Sequence, residues 1–365
     1  MSLRSLLSLN VVIPVLAMIA LAVAWPMKDS LGTGMVIVVA VLLAGAVLTA
    51  VHHAEVVAHK VGEPYGSLVL AVAVTVIEVA LIVSMMISGG EGAATLARDT
   101  IFAAIMITMN GIAGLSLLVG ALRYGLPMFN AEGTGAAVAT VATMGALTLV
   151  LPAFTTTVPG PEYSPNQLVF AALASVVLYT LFVSTQTRRH RDFFLPVTDK
   201  GTVEPEDDHA EPPTGKRTAA SLVLLLIALV AVVGLAKVES PAIEAAVAAA
   251  GFPNSFVGVV IAMLVLLPET IAAVRASVRR RMQISLNLAY GSAIASIGLT
   301  IPAIAVATIW LQGPLHLGLG ATQIVLFALT IVVSTLTVVP GRATRLQGGV
   351  HLALLAAFLF LAVNP

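Results

Sequence analysis

Eleven stretches of mainly apolar residues, most about twenty long, run through this 365-residue chain. Each approaches the length a helix needs to cross the hydrocarbon core of a bilayer. They lie near 10–26, 32–52, 66–88, 100–122, 133–157, 166–186, 219–237, 255–274, 284–309, 318–339 and 346–363, and the breaks between them carry Gly, Pro, Asn or charge. In lipid the backbone must satisfy its own hydrogen bonds, so such stretches read as helices. The alternating ten-residue segments of a transmembrane barrel do not occur. The predicted fold class is an all-α polytopic membrane protein with about eleven transmembrane helices. Composition agrees, with 59% hydrophobic and 10% charged residues, where a soluble domain carries about a quarter charged. A net charge of zero gives no footprint for nucleic acid, and the absence of cysteine removes disulfides and thiolate chemistry. Arg4, the apolar run after it and the small residues Ala20, Ala22 and Ala24 resemble a signal peptide. Because the chain goes on spanning, an uncleaved first span is expected.

The distribution of charge sets the organisation. Thirteen of the 36 charges fall between Thr187 and Thr218, in a hydrophilic loop that separates two apolar halves. With a cytoplasmic N-terminus, fifteen basic residues lie inside: Arg4, Lys60, Arg123, six in the loop, four in 275–281, Arg342 and Arg345. Only Lys28, Arg98 and Lys237 fall outside. The positive-inside rule therefore places the loop in the cytoplasm and the C-terminus outside. The expected domains are an N-terminal helix (1–31), a first five-helix repeat (32–186), the cytoplasmic loop (187–218) and a second five-helix repeat (219–365). An odd number of spans per half makes the two repeats inverted, as in many secondary transporters. A shift of 191 residues lays 66–83 on 257–274; five of eighteen positions match, four of them Val or Ala and the fifth Glu78 on Glu269. The same shift pairs the long segments 32–62 and 223–253 and sets Glu239 and Glu244 at the outer end of the second as an acidic rim.

Glu78 stands twelve residues into its span and Glu269 fourteen into its own, with no Lys or Arg at comparable depth. A charge near the bilayer centre costs at least about 2.5 kcal/mol, so it persists where it faces a cavity or a partner. Two such carboxylates offer hard oxygen ligands to Ca²⁺ or Na⁺. When the cation leaves, two bare carboxylates in a dry site are too costly, and protons replace it. The bland alternative is that each Glu is a protonated, hydrogen-bonded helix contact. Thr75 shares the face of Glu78, one turn earlier. Pro268 removes a backbone donor just before Glu269 and loosens the helix, freeing a carbonyl of the kind that lines cavities. The next spans carry MNGIAGLS with Asn110 and YGSAIASIG with Ser292 and Ser296, either packing residues or further oxygen ligands.

The stretches HAEVVAHKVGEPYGSLVLAVAVTVIEVALI (53–82) and LLPETIAAVRASVRRRMQISLNLAYGSAIASIGLTIP (266–302) resemble the alpha repeats of the calcium/proton antiporters in the cation/Ca²⁺ exchanger superfamily, in particular the bacterial Ca²⁺(Na⁺,K⁺)/H⁺ type. On this chain the repeats would cover about 53–122 and 255–309. The resemblance implies two inverted five-helix repeats behind an extra N-terminal helix, and an ion site with one acid from each repeat, here Glu78 and Glu269. It also aligns Gly291-Ser292 with the Gly-Ser of the following helix and Asn110 with the corresponding first-repeat position. The chain departs from many relatives where they have Gly-Asn-Ala before the acid, having Val76-Ile77 and Leu267-Pro268, and near Ala295, where they have Gln. With fewer side-chain ligands, backbone carbonyls or water are expected to take a larger share.

Two further clusters are noted. His52, His53, Glu55, His59 and Glu63 gather at the cytoplasmic end of the second span, with His52, Glu55 and His59 on one helical face. They form either a proton-uptake or pH-sensing patch or a solvated helix end. Glu204, Glu206, Asp207, Asp208 and Glu211 make an acidic run in the cytoplasmic loop, either a Ca²⁺-responsive element or a solvated linker, without EF-hand spacing. The leading expectation is a secondary antiporter exchanging Ca²⁺, or Na⁺ or K⁺, for H⁺. It needs no cofactor, and its expected partners are membrane lipids and transported cations, with no nucleic acid. A monovalent cation/proton antiporter with little Ca²⁺ activity is the alternative. A membrane-embedded enzyme is disfavoured by the lack of HExxH, paired Asp or Ser/His constellations in the spans. A channel is disfavoured because it needs an oligomeric axis or a filter loop.

Overall fold

The computed structural model describes residues 8–28, 31–62, 65–88, 92–197, 213–310 and 313–365. They form α1 (Leu9–Met27), α2 (Thr33–Val61), α3 (Tyr65–Ser88), α4 (Leu96–Tyr124), α5 (Ala131–Ala153), α6 (Pro165–Arg189), α7 (Gly215–Ala249), α8 (Phe256–Val265), α9 (Leu267–Val278), α10 (Met282–Ala307), α11 (Ala321–Val338) and α12 (Arg345–Val363). Nine are long and apolar enough to cross a bilayer alone; α8 and α9 pass that test together but are bent by 54°, and the apolar part of α3, Ala71–Ile87, is shorter. With α8 and α9 as one crossing, the order is one helix, α1, then two sets of five. No sheet forms among the described residues, only the isolated pairs Met128–Arg342 and Glu162–His316.

The helix starts follow local chemistry. Ser164 caps α6 and Thr344 caps α12, each with a Gln three residues on that bonds back to the cap. Asn130 Oδ1 accepts from the amides of Glu132 and Gly133 at the start of α5.

The helices fall into two compact units. The first holds α1, α2, α3 and α7. Here α2 and α7 lie along one another, and α1 and α3 each pack against both. At 29 and 35 residues, these helices run about 44 and 52 Å, well beyond the ~30 Å hydrocarbon core. Their buried stripes are small and β-branched: Ala46, Val47, Ala50 and Ala54 on α2, and Ala228, Ala231, Val232 and Ala236 on α7. Such residues let helix backbones approach closely.

The second unit holds α4 to α6 and, from Gly258 onward, α8 to α12. Its axis is α4, whose most apolar stretch is 89% buried, against 17% for α12. A helix buried on every side belongs in the middle of a bundle. Two glycines seat α12 against it. A Cβ on Gly348 would stand 2.6 Å from the Leu118 amide nitrogen, and one on Gly114 would stand 2.8 Å from His351 Cβ. The other densely packed helix is α10, which touches α4, α5, α6 and α9.

Candidate cation site

Glu78 lies in the first unit, mid-way along the continuous helix α3, and is buried together with Thr75. Every amide of a helix interior is already spent on the turn before it, so side chains, water or an ion must meet this carboxylate.

Glu269 lies in the second unit, in the first turn of α9. The chain breaks at Leu266, whose carbonyl accepts from the Thr270 amide at 2.9 Å and from the Thr270 hydroxyl at 2.7 Å. Pro268 at the second helical position has no N–H to continue α8 through the break. The loosening read from Pro268 thus takes the form of a full break, and the stretch 255–274 is two helices rather than one. At the start of α9, amides without intrahelical partners and the positive end of the helix dipole favour a negative side chain.

Asn110 and Ser296 each lie in a π-turn, Ile107–Ile112 within α4 and Ser296–Thr300 within α10. Such turns offset backbone carbonyls from the regular ladder and recur at functional sites. Ser296 is buried and Ser292, one turn earlier, is half-buried. No heavy atom outside the local helix lies within 4 Å of where a Gly291 Cβ would stand, so open space flanks the Gly291-Ser292 turn. The Asn110 turn packs against both α9 and α10. Within the second unit the structure therefore brings the helices of Asn110, Glu269, Ser292 and Ser296 together.

Asn110 is fully buried, and its amide is oriented from both ends. Nδ2 donates to Thr330 Oγ1 at 2.9 Å, and Oδ1 lies 3.0 Å from His351 Nδ1. An amide oxygen only accepts, so His351 carries its proton on Nδ1, and Nε2 accepts from the Thr337 hydroxyl at 3.2 Å. The second lone pair of Oδ1 remains for another donor or a cation. His351, Thr330 and Thr337 are absent from the sequence reading. Their one signal is a histidine six residues into an apolar span.

Two further acids depart from that reading. Asp99, at the head of α4, is buried and paired with Arg98 at 2.8 Å, so the Arg counted as an outer cation is half of an ion pair. Glu239, expected on an outer rim, is buried in α7, and its Oε2 has no hydrogen-bond partner among the described residues.

The histidine patch divides by helix face. Glu55 and His59 are exposed and His52 is half-buried. His53 is buried: Nε2 donates to the Asn10 carbonyl at 2.8 Å and Nδ1 faces Ser221 Oγ at 3.3 Å, joining α2 to α1 and α7. Glu63 and the acids Glu204, Glu206, Asp207, Asp208 and Glu211 lie outside the described residues. Among the described residues no three or more His, Asp or Glu side chains are grouped to hold a metal ion. A cation bound here would need neutral oxygens beside any carboxylate.

Known proteins are similar to this chain in sequence and in fold. The protein y4hA of Sinorhizobium fredii is 46% identical over 324 residues, 89% of this chain and 87% of that one. The sodium-potassium/proton antiporter ChaA of Escherichia coli is 31% identical over 352 residues, 96% of this chain and 94% of that one. The solved structure of the Ca²⁺/H⁺ antiporter YfkE has the same fold, with a TM-score of 0.71 at 14% identity over 98% of both chains. The sodium/calcium exchanger protein family matches residues 31–188 and 220–364, and the chain belongs to that family.

Proposed function

We propose that the chain is a secondary active antiporter, a transporter and not an enzyme, which exchanges Ca²⁺ for H⁺ by alternating access. The observation that carries this reading is the pair of intramembrane acids, Glu78 buried mid-helix and Glu269 at a helix break, in spans without a Lys or Arg at comparable depth. Each five-helix repeat, 32–186 and 219–365, supplies one. In this reading the two carboxylates bind either the cation or protons, and Thr75, Asn110, Ser292, Ser296 and the carbonyls of the two π-turns supply neutral oxygens. No cofactor takes part. The long helices α2 and α7 move against the helices of the site and open it to one face of the membrane and then the other. The orientation that suits the charge distribution is a cytoplasmic N-terminus and an external C-terminus in a bacterial inner membrane. Cytoplasmic His52, His53, Glu55, His59 and Glu63 would pass protons, and the loop acids would respond to Ca²⁺.

A second reading, exchange of Na⁺ or K⁺ for H⁺, is favoured by the 31% identity to ChaA across almost the whole chain. Both readings are tested in proteoliposomes carrying a proton gradient, with Ca²⁺, Na⁺ and K⁺ offered in turn and collapse of the gradient followed by a pH dye. Ca²⁺ is expected to collapse it; collapse by Na⁺ or K⁺ alone selects the second reading, and collapse by none refutes exchange. Glu78→Gln and Glu269→Gln should each abolish exchange in protein that still inserts, and activity surviving either change refutes the shared site.

A further inference from the structure

The first unit contains a cleft lined by none of the residues assigned above to the cation site. Met18, Leu21 and Trp25 of α1 face Leu229 and Val233 of α7 across a space of about 670 Å³. The helices meet alongside it at Gly234, where a Cβ would stand 2.4 Å from the Leu21 side chain. The walls are apolar, but one end is not. Trp25 is 45% exposed there, with Lys28 Nζ 5.6 Å and Lys237 Nζ 5.9 Å from its ring centroid. Two ammonium groups from different helices thus converge on one indole. Neither has a carboxylate partner among the described residues.

The depth is that of lipid headgroups. Lys237 follows the first residue of α7, Gly215, by 22 positions, about 33 Å of helix, close to the thickness of the hydrocarbon core. Tryptophan is the side chain that collects at this boundary, and lysine extends from it toward water. A cleft with an apolar body in the hydrocarbon and two cations at its mouth matches a phospholipid in shape and polarity. The ring face that would attract a choline group already bears lysines, so a zwitterionic headgroup meets like charge there.

We propose that this cleft binds an anionic phospholipid of the surrounding bilayer, with an acyl chain between α1 and α7 and the headgroup held by Lys28 and Lys237 beside Trp25. The chain has two tryptophans, so Trp310→Phe leaves Trp25 as the sole reporter. The full-length Trp310→Phe protein is reconstituted in phosphatidylcholine vesicles containing increasing fractions of brominated phosphatidylglycerol or brominated phosphatidylcholine, and quenching of Trp25 is recorded. Phosphatidylglycerol should quench half-maximally at a several-fold lower mole fraction. Two lysines near a headgroup set the upper limit at roughly thirtyfold in low salt, falling as salt rises. Lys28→Gln with Lys237→Gln should bring the two curves together, while Lys28→Arg with Lys237→Arg should keep them apart, which separates lost charge from misfolding. Coincident curves in the parent protein overturn the proposal. So does an absence of quenching by either lipid, the result expected if a second copy of the chain covers the cleft.

Discussion

Replacing His351 with Phe removes two hydrogen bonds from the centre of the second unit while nearly preserving side-chain volume. The imidazole is fully buried and bonds Asn110 Oδ1 at 3.0 Å and Thr337 Oγ1 at 3.2 Å. Phe leaves both oxygens with one partner fewer in a site that water does not readily repair. Interhelical hydrogen bonds in membrane proteins contribute about 0.6 kcal/mol on average and up to ~1.7. A buried polar group left without any partner costs ~1–3 kcal/mol. Asn110 keeps its Nδ2 bond to Thr330, but Oδ1 loses the donor it accepts from, so this range applies to that oxygen, while the Thr337 hydroxyl can turn to a carbonyl of the preceding turn. The sum is a loss of about 1–3 kcal/mol, measured by titrating the purified protein in mixed micelles with dodecyl sulfate and following helicity. His351→Gln retains an N–H donor and should recover part of it. If Asn110 contributes an oxygen to the cation, a freed amide also raises the half-saturating cation concentration in proteoliposomes. An unfolding free energy within ~0.5 kcal/mol of the parent, a range typical of surface substitutions, together with unchanged half-saturation, would falsify this account of the network.

Gly348→Ala should destabilise by about 1–3 kcal/mol through overpacking, because its Cβ would meet the Leu118 backbone at 2.6 and 2.8 Å and the Gly114 carbonyl at 2.9 Å. Gly349→Ala has no heavy atom within 4 Å and serves as the neutral comparison in the same titration. Pro268→Ala returns an amide to the break between α8 and α9; exchange should slow several-fold with little change in stability, and an unchanged rate in proteoliposomes would mean that the break has no part in turnover.

Span order and length are legible in the sequence because hydrocarbon thickness acts on every span separately. The expected 346–363 is Arg345–Val363, and 66–88 is Tyr65–Ser88. What depends on neighbours is not legible. His351 and Asn110 are 241 positions apart, and nothing local to either announces the other. His52 and His53 are adjacent, yet successive helix residues point about 100° apart, so one is half-exposed while the other joins three helices. The 191-residue shift sets Glu239 on an outer rim, but α7 continues to Ala249 and buried residues continue along it. Pro268 announced a weak point; the 54° bend also depends on how α8 and α9 pack.

The matched register of Glu78 and Glu269 conceals a difference that only the backbone reveals. Glu78 sits within a continuous helix, whose interior amides are all engaged, so nothing in the local main chain offsets its charge. Glu269 opens a helix, where the first amides lack intrahelical partners and the dipole presents its positive end. The first acid therefore relies on side chains, cargo or a proton for compensation, and the second draws part of its compensation from the fold. For an exchanger this inequality is useful. Two acids neutralised by the protein would have little need of a cation, and two left bare would be too costly to hold in a dry membrane site. One of each keeps the cost of the empty site within reach of a proton while leaving a charge for the cation to satisfy. In the proposed shared site, near-identical registers would thus give two unequal acids, with Pro268 in one segment where the other has Ile77.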